Sequence, residues 1–239
     1  MLAFLRHTSR LIPVVLGASL LFAACKDDTT GLGGGPVVPS LGSAQTYGIL
    51  AGSAVTCGGP VGTVSADVGL HPASAISGFP TCTISGTTNV ANPAALAAQG
   101  ALTTAFDALA ALACGTTISA DLGGTTLAPG VYCSGSTVGV TGALTLDGRG
   151  SSNATFVIRA GSALNVANGA SVVLIGSAQA RNVFWYVGSS ASLGTTSAMK
   201  GNILALTAVT LADGAVLIGR ALARNAAVTL GNNNTITLP

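Results

Sequence analysis

Charged side chains are nearly absent from this 239-residue chain: Asp, Glu, Lys and Arg together make up 7% of it, and Glu does not occur. Nucleic-acid binding needs a basic footprint, and from Leu41 onward six basic residues stand against five acidic ones, so we expect no nucleic-acid partner. Hydrolysis of sugars commonly uses two facing carboxylates. The domain has five scattered Asp residues, and the pair to consider for a carbohydrate-active enzyme is Asp67 with Asp121. Because these carboxylates are so few and so scattered, we predict that the protein is not an enzyme.

Aromatic residues are also scarce, at 4% of the chain, whereas aliphatic residues are too many and too periodic for a disordered protein. Trp185 and Tyr186 would be the candidate platform for stacking a sugar ring. The alternation of Val183, Trp185 and Val187 is more typical of the buried side of a strand, so we predict that Trp185 lies in the core.

The first 25 residues predict a lipoprotein-type signal peptide. The apolar run Leu11–Ala24 follows basic residues and is too short for an ordinary membrane span. It ends in Leu21-Phe-Ala-Ala-Cys25, which resembles a bacterial lipobox with Cys25 as the lipidated residue; the alternative is a secretory signal cut near Ala24. Residues 26–40, with three consecutive glycines, predict a flexible tether. We expect an exported protein, either anchored to a membrane through Cys25 or extracellular.

The four remaining cysteines predict two disulfides, because an exported domain meets an oxidising environment. They are Cys57, Cys82, Cys114 and Cys133. Three connectivities are open, and sequence proximity favours Cys57–Cys82 with Cys114–Cys133. The alternative is a metal site, but the domain has no CxxC pair and a single histidine, His71, so we predict neither metal nor cofactor.

A repeated segment predicts a β-solenoid. Asn202-Ile-Leu-Ala-Leu-Thr-Ala-Val-Thr210 returns 18 to 19 residues later in Arg220–Thr229, and Gly48–Thr56 echoes both from near the N-terminus. The echo indicates that the first coils stack beside the last ones. Triplets of a small, an aliphatic and a polar residue place the aliphatic side chain inside and its neighbours outside. The predicted outer column comprises Thr56, Ser77, Thr145, Asn165, Thr210 and Thr229, with Ala54, Ala163, Ala208 and Thr207 beside it.

One long helix is predicted after the leader. Asn92 suits the N-cap and Pro93 the first helical position, and the helix should run through Ala94–Ala113 until Cys114-Gly115. We expect it to lie along the solenoid with an apolar face of Leu96, Leu102, Phe106, Leu109 and Ala113 turned inward.

Residues 41–239 resemble the bacterial and microalgal family of ice-binding proteins with a discontinuous β-solenoid domain. The resemblance is carried by Ala44–Gly52, Asp67–Pro72, Leu127–Tyr132, Asn182–Gly194 and Gly201–Leu230. It implies a mainly β fold: a right-handed, parallel β-solenoid of triangular section with one long α-helix packed along it. Family ice faces carry Thr-Ala/Gly-X-Thr/Asn repeats, which Thr207-Ala-Val-Thr210 matches fully and Ser162-Ala-Leu-Asn165 matches with Ser for Thr.

The resemblance and the outer column together predict a non-enzymatic antifreeze protein that adsorbs to the surface of an ice crystal as a monomer. The alternative is an adhesive or structural surface lipoprotein that uses the same solenoid without ice activity. The membrane would then be a partner only through Cys25. The predicted ice-binding residues are Thr56, Ser77, Thr145, Asn165, Thr207, Ala208, Thr210 and Thr229.

Lipidation is testable in a Gram-negative host. The full chain should fractionate with membranes, and Cys25→Ala should release it or leave it unprocessed, because the acyl chains are attached at that cysteine. Mass spectrometry of the mature N-terminus is the direct measurement, and an unmodified terminus at another residue would contradict the prediction.

Overall fold

The computed structural model describes residues 39–59, 62–78 and 81–239. The predicted signal peptide (residues 1–25), its lipidation site Cys25 and nearly all of the predicted tether (residues 26–40) lie outside the described residues.

Short strands are the main secondary structure of the described chain, and every strand pair in it is parallel. Before the helix the strands are β1 (Tyr47–Ala51), β2 (Ala54–Cys57), β3 (Gly62–Ser65), β4 (Asp67–Leu70), β5 (Ala75–Ser77), β6 (Cys82–Ile84) and β7 (Thr88–Val90). The helix is α1 (Pro93–Ala111), and short 3-10 turns occupy Gly42–Thr46 and Ala180–Asn182. After it come β8 (Thr116–Thr117), β9 (Thr126–Leu127), β10 (Gly130–Ser134), β11 (Val138–Val140), β12 (Ala143–Asp147), β13 (Phe156–Ala160), β14 (Leu164–Val166), β15 (Ser171–Ile175), β16 (Val183–Val187), β17 (Ala191–Leu193), β18 (Ala198–Ala205), β19 (Val209–Leu211), β20 (Val216–Ala223), β21 (Val228–Leu230) and β22 (Thr235–Thr237).

These strands wind into a β-solenoid with three faces, as predicted. The hydroxyl face is a sheet of seven strands in the order β11-β14-β17-β19-β21-β2-β5. The helix-covered face contains β8, β10, β13, β16, β1, β4, β7 and the second halves of β18 and β20. The third face contains β9, β12, β15, β22, β3, β6 and the first halves of β18 and β20. The eight-residue strands β18 and β20 bend from the third face into the helix-covered face, which joins the two into one 15-stranded sheet.

The order of the coils departs from the order of the sequence at one point. β1, β2 and β3 pair with β20, β21 and β22, so the first coil of the domain stacks on its last. Thr56 is thereby registered with Thr229, from the other end of the chain. The prediction from the echoed segments is confirmed. One side of the first coil can therefore pair only after the final coil of the chain has formed.

Aliphatic side chains fill the interior in rows. Val55, Val209 and Val228 are fully buried on adjacent rungs, as the alternation of small, aliphatic and polar residues predicts. Each such side chain contributes roughly 1.5–3 kcal/mol of hydrophobic free energy. Trp185 is 1% exposed and donates its indole N–H to the Lys200 carbonyl at 3.0 Å, so the prediction of a core tryptophan is confirmed.

The helix α1 packs on the helix-covered face. The Asn92 side chain accepts the Ala95 N–H at 2.9 Å, which is the N-cap that the sequence predicts. Ala98, Leu102, Ala105, Phe106 and Leu109 lie buried against outward residues of the sheet such as Val157, Phe184 and Leu222. By length and composition alone the helix would also suit a membrane span, but this face of it covers the solenoid.

Two details of the predicted helix are wrong. Leu96 is 54% exposed and Ala113 is also exposed, whereas the small residues Ala95 and Ala98 face the sheet. Small side chains at these two positions allow the first turns of the helix to approach the strands, while Leu102, Phe106 and Leu109 are buried further along it. The helix ends at Ala111 because the guanidinium of Arg159 donates to the carbonyls of Ala110 and Leu112, both at 2.6 Å, and so occupies its last acceptors.

Both disulfides join the cysteines nearest in sequence. Cys57 at the end of β2 is bonded to Cys82 at the start of β6, with 6.3 Å between their Cα atoms. Cys114, just after α1, is bonded to Cys133 in β10, with a Cα separation of 5.9 Å. The first disulfide ties together two coils of the N-terminal part, and the second ties the C-terminal end of the helix to the sheet.

Replacing Cys114 and Cys133 together by Ser should lower the free energy of unfolding by about 3 kcal/mol, because the disulfide closes a loop of roughly 19 residues in the unfolded chain. Urea unfolding of the domain measures the change. Peptide mapping without reductant that found crossed pairs or four free thiols would contradict the assignment.

Candidate functional site

One row of small residues, most of them polar, runs across the whole hydroxyl face. We call it the hydroxyl column; it takes one residue from each strand, and these are registered with one another from rung to rung. In spatial order they are Gly139, Asn165, Ser192, Thr210, Thr229, Thr56 and Ser77. Adjacent members are about 4.8 Å apart, the spacing of hydrogen-bonded strands.

The centre of the hydroxyl column is a run of three threonines. Thr210, Thr229 and Thr56 stand on consecutive rungs; Thr210 is exposed and the other two are half-buried between their neighbours. The run continues at Ser77, whose hydroxyl lies 3.4 Å from that of Thr56. Threonine is β-branched and therefore stiff at χ1. Because the backbone beneath is hydrogen-bonded on both sides, methyl and hydroxyl groups stand in a fixed order.

A second row, the alanine column, lies beside the first, two residues earlier on each strand. Ala54 and Ala75 are registered directly, and the neighbouring pairs extend the row through the remaining strands. Its members are Ala163, Ser190, Ala208, Ala227, Ala54 and Ala75. The two columns are about 6.7 Å apart along the strand direction. Together they present a flat lattice of methyl and hydroxyl groups with no charged residue in the seven strands.

Thr207 borders this lattice and does not lie in it. It sits at the corner before β19, and its hydroxyl is 2.9 Å from that of Ser190 and 3.4 Å from that of Ser189. Backbone hydrogen bonds from Ala226 to Thr207 and from Thr207 to Ser189 stack this corner from coil to coil. Thr207 therefore lies at the margin of the face, where neighbouring serines hold its hydroxyl, rather than directly beside the column.

The prediction for Thr145 is wrong. This residue lies in β12 on the third face, registered with Val173 and Thr126, and it does not join the hydroxyl column. The triplet Ala143-Leu144-Thr145 has the required pattern, but outward residues of the third face alternate with buried ones in the same way. The pattern therefore identifies a strand without telling which side of the coil the strand occupies.

Ser192 and Gly139 belong to the hydroxyl column but not to the predicted set. The predicted triplets place an aliphatic residue inside, whereas on the rung of Ser192 the structure places Ala191 opposite Val209. Ala191 is fully buried, so a small residue fills an interior position there. The spacing of 18 residues between Ser192 and Thr210 was the signal that would have found it.

The third face offers a different surface. Val173, Ile175 and Ile218 are 38%, 46% and 37% exposed, and Lys200 interrupts the rows. The helix covers the remaining face. Of the three faces, the hydroxyl face alone combines small size, hydroxyl chemistry and an unbroken register.

Carboxylates stabilise the corner between the hydroxyl face and the third face. Asp213 accepts the Asn232 N–H at 2.8 Å, and Asp121 accepts the N–H groups of Gly123 and Thr141 at 3.0 and 3.1 Å. The backbone N–H and then the side chain of Asn232 hold the pKa of Asp213 below its ordinary value. The Thr141 hydroxyl and then the Gly123 N–H do the same for the pKa of Asp121.

Asp67 and Asp121 do not form a pair. Asp67 accepts the Thr87 N–H at 2.8 Å at the start of β4, while Asp121 bridges to Gly139 on the terminal rung at the other end of the stack. Within residues 39–59, 62–78 and 81–239, no three His, Cys, Asp or Glu side chains come together in an arrangement that would hold a metal ion.

Three comparisons with known proteins agree with this architecture. The model of the family described as Ice-binding-like matches residues 49–237. An ice-binding protein of Nostoc sp. (strain HG1) is 43% identical over 198 residues, which cover 82% of this chain and 73% of that protein. The crystal structure of an ice binding protein from an Antarctic Biological Consortium is 42% identical, with a TM-score of 0.82 over 88% of this chain and 96% of that one. The ice-binding protein of the Antarctic ascomycete Antarctomyces psychrotrophicus is 36% identical, with a TM-score of 0.82 over 85% of this chain and 99% of that one.

Acid should weaken the corner that Asp213 holds. Its carboxylate has a lower pKa in the folded than in the unfolded chain, so the stabilisation is present above the unfolded pKa and is lost as pH falls through the folded pKa. We expect the melting temperature to fall as the pH drops below about 4, the ordinary pKa of an unfolded Asp, and to fall less in Asp213→Asn, which keeps an acceptor but does not titrate. Identical pH profiles for the two proteins would contradict this role of the carboxylate.

Proposed function

This chain belongs to the Ice-binding-like family, and we propose that the hydroxyl face is the surface with which it adsorbs to ice. Ice binding is the function that both the relatives and the solved neighbours support, and nothing among them favours an adhesive protein without ice activity. The single observation that carries the choice of face is the registered run of Thr210, Thr229 and Thr56 beside the alanine column.

The chemistry of the face suits a solid made of water. Hydroxyl groups hydrogen-bond water at fixed points, and the methyl groups of Thr and Ala between them favour an ordered layer over a mobile one. When such a layer merges with a crystal, the adsorbed protein forces ice to grow in curved fronts between attachment points. The freezing point is lowered and recrystallisation slows.

Rigidity makes the adsorption favourable. Ordering many free side chains at an interface costs entropy, about 0.5–1.5 kcal/mol for each rotamer-rich side chain. The side chains of the two columns are Ala, Ser, Thr and Asn, which have few rotamers, and the strands below them are fixed by the inward rows of Val and Leu. Little conformational freedom is left to lose when the face meets ice.

The face is uneven along its length. Beyond Thr210 the hydroxyl column continues as Ser192, Asn165 and Gly139, so hydroxyl, amide and bare backbone replace threonine in turn. Since these three members of the hydroxyl column carry no methyl group, we place the strongest contact with ice around Thr210, Thr229 and Thr56, with Ala208 and Ala54 beside them and Ser77 at one end.

We assign no catalytic role to the domain, because its five carboxylates are engaged in structural bonds. Asp107 pairs with Arg224 at 2.9 Å, Asp147 accepts the Arg149 N–H at 2.9 Å, and the other three hold corners as described above. The proposal further comprises export, a lipid anchor at Cys25 or release outside the cell, and action as a monomer.

A bulky residue in the centre of the face tests the proposal. Thr210→Tyr should abolish most thermal hysteresis, because the ring would lift neighbouring rungs from the crystal. Thr210 is exposed, so the free energy of unfolding should change by no more than about 0.5 kcal/mol. Thr145→Tyr is the matched control: the same substitution on the third face should leave hysteresis unchanged.

Nanolitre osmometry of the purified domain, with circular dichroism to confirm folding, measures both variants. Unchanged hysteresis in folded Thr210→Tyr, with loss in Thr145→Tyr, would move the ice-binding surface to the third face. Absence of activity in the unmutated domain would overturn the proposed function.

A further inference from the structure

Basic side chains concentrate on one edge of the solenoid, where the third face turns into the helix-covered face. Three coils each contribute one arginine, just past their third-face strand. We call this group the basic edge; it comprises Arg149 after β12, Arg181 after β15 and Arg220 in β20, whereas Lys200 lies on the third face in register with Ile218. These are three of the six basic residues from Leu41 onward, and Arg181 and Arg220 line the same pocket.

Within the described residues, no carboxylate forms an ion pair with an arginine of this edge. The ion pair found there joins Arg224 to Asp107, at the opposite margin of the helix-covered face. Asp147 lies at the basic edge and accepts a backbone N–H, and Asp67 lies at the far end of the same edge, where it also accepts a backbone N–H. Three arginines against these two carboxylates leave the edge with an excess of positive charge.

Arg220 and Arg181 line one open pocket on this edge, together with the apolar side chains of Leu41 and Phe184. The guanidinium of Arg220 is half-buried and is positioned by the Gln45 carbonyl at 2.9 Å and the Asn202 side chain at 2.6 Å. Burial lowers the pKa of this guanidinium. Nη2 of Arg220 also donates to the Gln45 carbonyl, and the N–H groups that these neutral acceptors leave free can donate to a phosphate oxygen beside those of Arg181.

The chain enters the domain beside this pocket, which favours membrane lipid as the source of the phosphate. Pro39 and Ser40 line the same pocket. Cys25 precedes Pro39 by 14 residues, a stretch that spans at most about 50 Å when fully extended. An anchor at Cys25 would hold the basic edge near the membrane. In a coil with three sides, the edge between two of them points away from the third, so the basic edge lies opposite the hydroxyl face.

We propose that the basic edge binds the phosphate groups of an anionic membrane surface and thereby turns the hydroxyl face outward, toward ice. The orientation part rests on the proposed function, whereas the binding of phosphate rests on the arginines alone. Two contributions combine here: the anchor raises the local concentration of lipid, and the edge selects one orientation among those that the tether permits.

Vesicle sedimentation of the domain from Pro39 onward tests the proposal; solved relatives that consist almost wholly of this domain show that it folds alone. Vesicles of phosphatidylcholine mixed with phosphatidylglycerol should bind it at low salt, and phosphatidylcholine alone should not. Arg181→Gln should weaken the binding roughly fivefold, because one cation near the surface is lost. Arg224→Gln removes one charge from the other edge and should bind as the unmutated domain does.

Equal weakening in both variants would overturn the proposal, since net charge rather than the basic edge would then govern binding. Equal binding to neutral vesicles would also overturn it. Titration with inorganic phosphate separates the sources: binding of phosphate without binding of vesicles would assign the pocket to a small free anion and refute the membrane.

A second measurement tests orientation. Vesicles decorated with the domain should be carried onto a growing ice surface, and those incubated with Arg181→Gln should largely be left behind although this variant keeps its thermal hysteresis. Vesicle binding without transfer to ice, in a domain that shows hysteresis, would refute the outward orientation. Loss of hysteresis in the unmutated domain with vesicle binding intact would refute the proposed function and leave the phosphate site standing.

Discussion

Parallel, in-register hydrogen bonding between successive coils is the constraint on which the rest of this structure depends. It fixes the rise between rungs, so whatever residue type occupies one position of the coil forms a straight row across the whole face. Rows of Val and Leu inside make the core, and rows of Thr and Ala outside make the proposed ice surface. The same repetition thus produces the core and the outer surface. A shift of one residue in any coil would turn its inward side chains outward and its outward side chains inward.

Because the coil order is discontinuous, the threonine run depends on contact between the first and the last coil of the domain. The threonine run is completed by Thr56, which comes from the first coil, beside Thr229, which comes from the last. Long-range pairing of this kind is slow to form, because the loop closes only after the intervening chain is in place. Burial of Val55 against the adjacent rows and the Cys57–Cys82 disulfide stabilise the docked N-terminal coils, and they therefore support the proposed ice surface from the inside.

Local patterns in the sequence predict what repeats and fail where the pattern is shared or interrupted. The echoed segments placed Thr56, Thr210 and Thr229 on one face because their whole coils match. Thr145 was misplaced because strands on different faces have the same alternation, which carries no information about which side of the coil they occupy. Ser192 is absent from the predicted column because Ala191 takes the place of a large inward residue, and Leu96 is misassigned because Ala95 and Ala98 face the sheet at that end of the helix. Each error concerns packing between elements. Such packing depends on contacts between residues distant in sequence, which local patterns do not show.

The scarcity of charge has a physical reason in this architecture. A charged group in the middle of a flat face would hold its own hydration shell and disturb an ordered water layer, so the seven strands of the hydroxyl face contain none. Most ionic groups lie at corners and on the helix-covered side. Asp121 and Asp213 stabilise one corner through backbone N–H groups, Arg159 holds the end of the helix, and Arg149, Arg181 and Arg220 lie on the edge farthest from the threonines. A solenoid that excludes charge from one face must concentrate it elsewhere, and the edge that receives it becomes the natural place for a second, electrostatic contact.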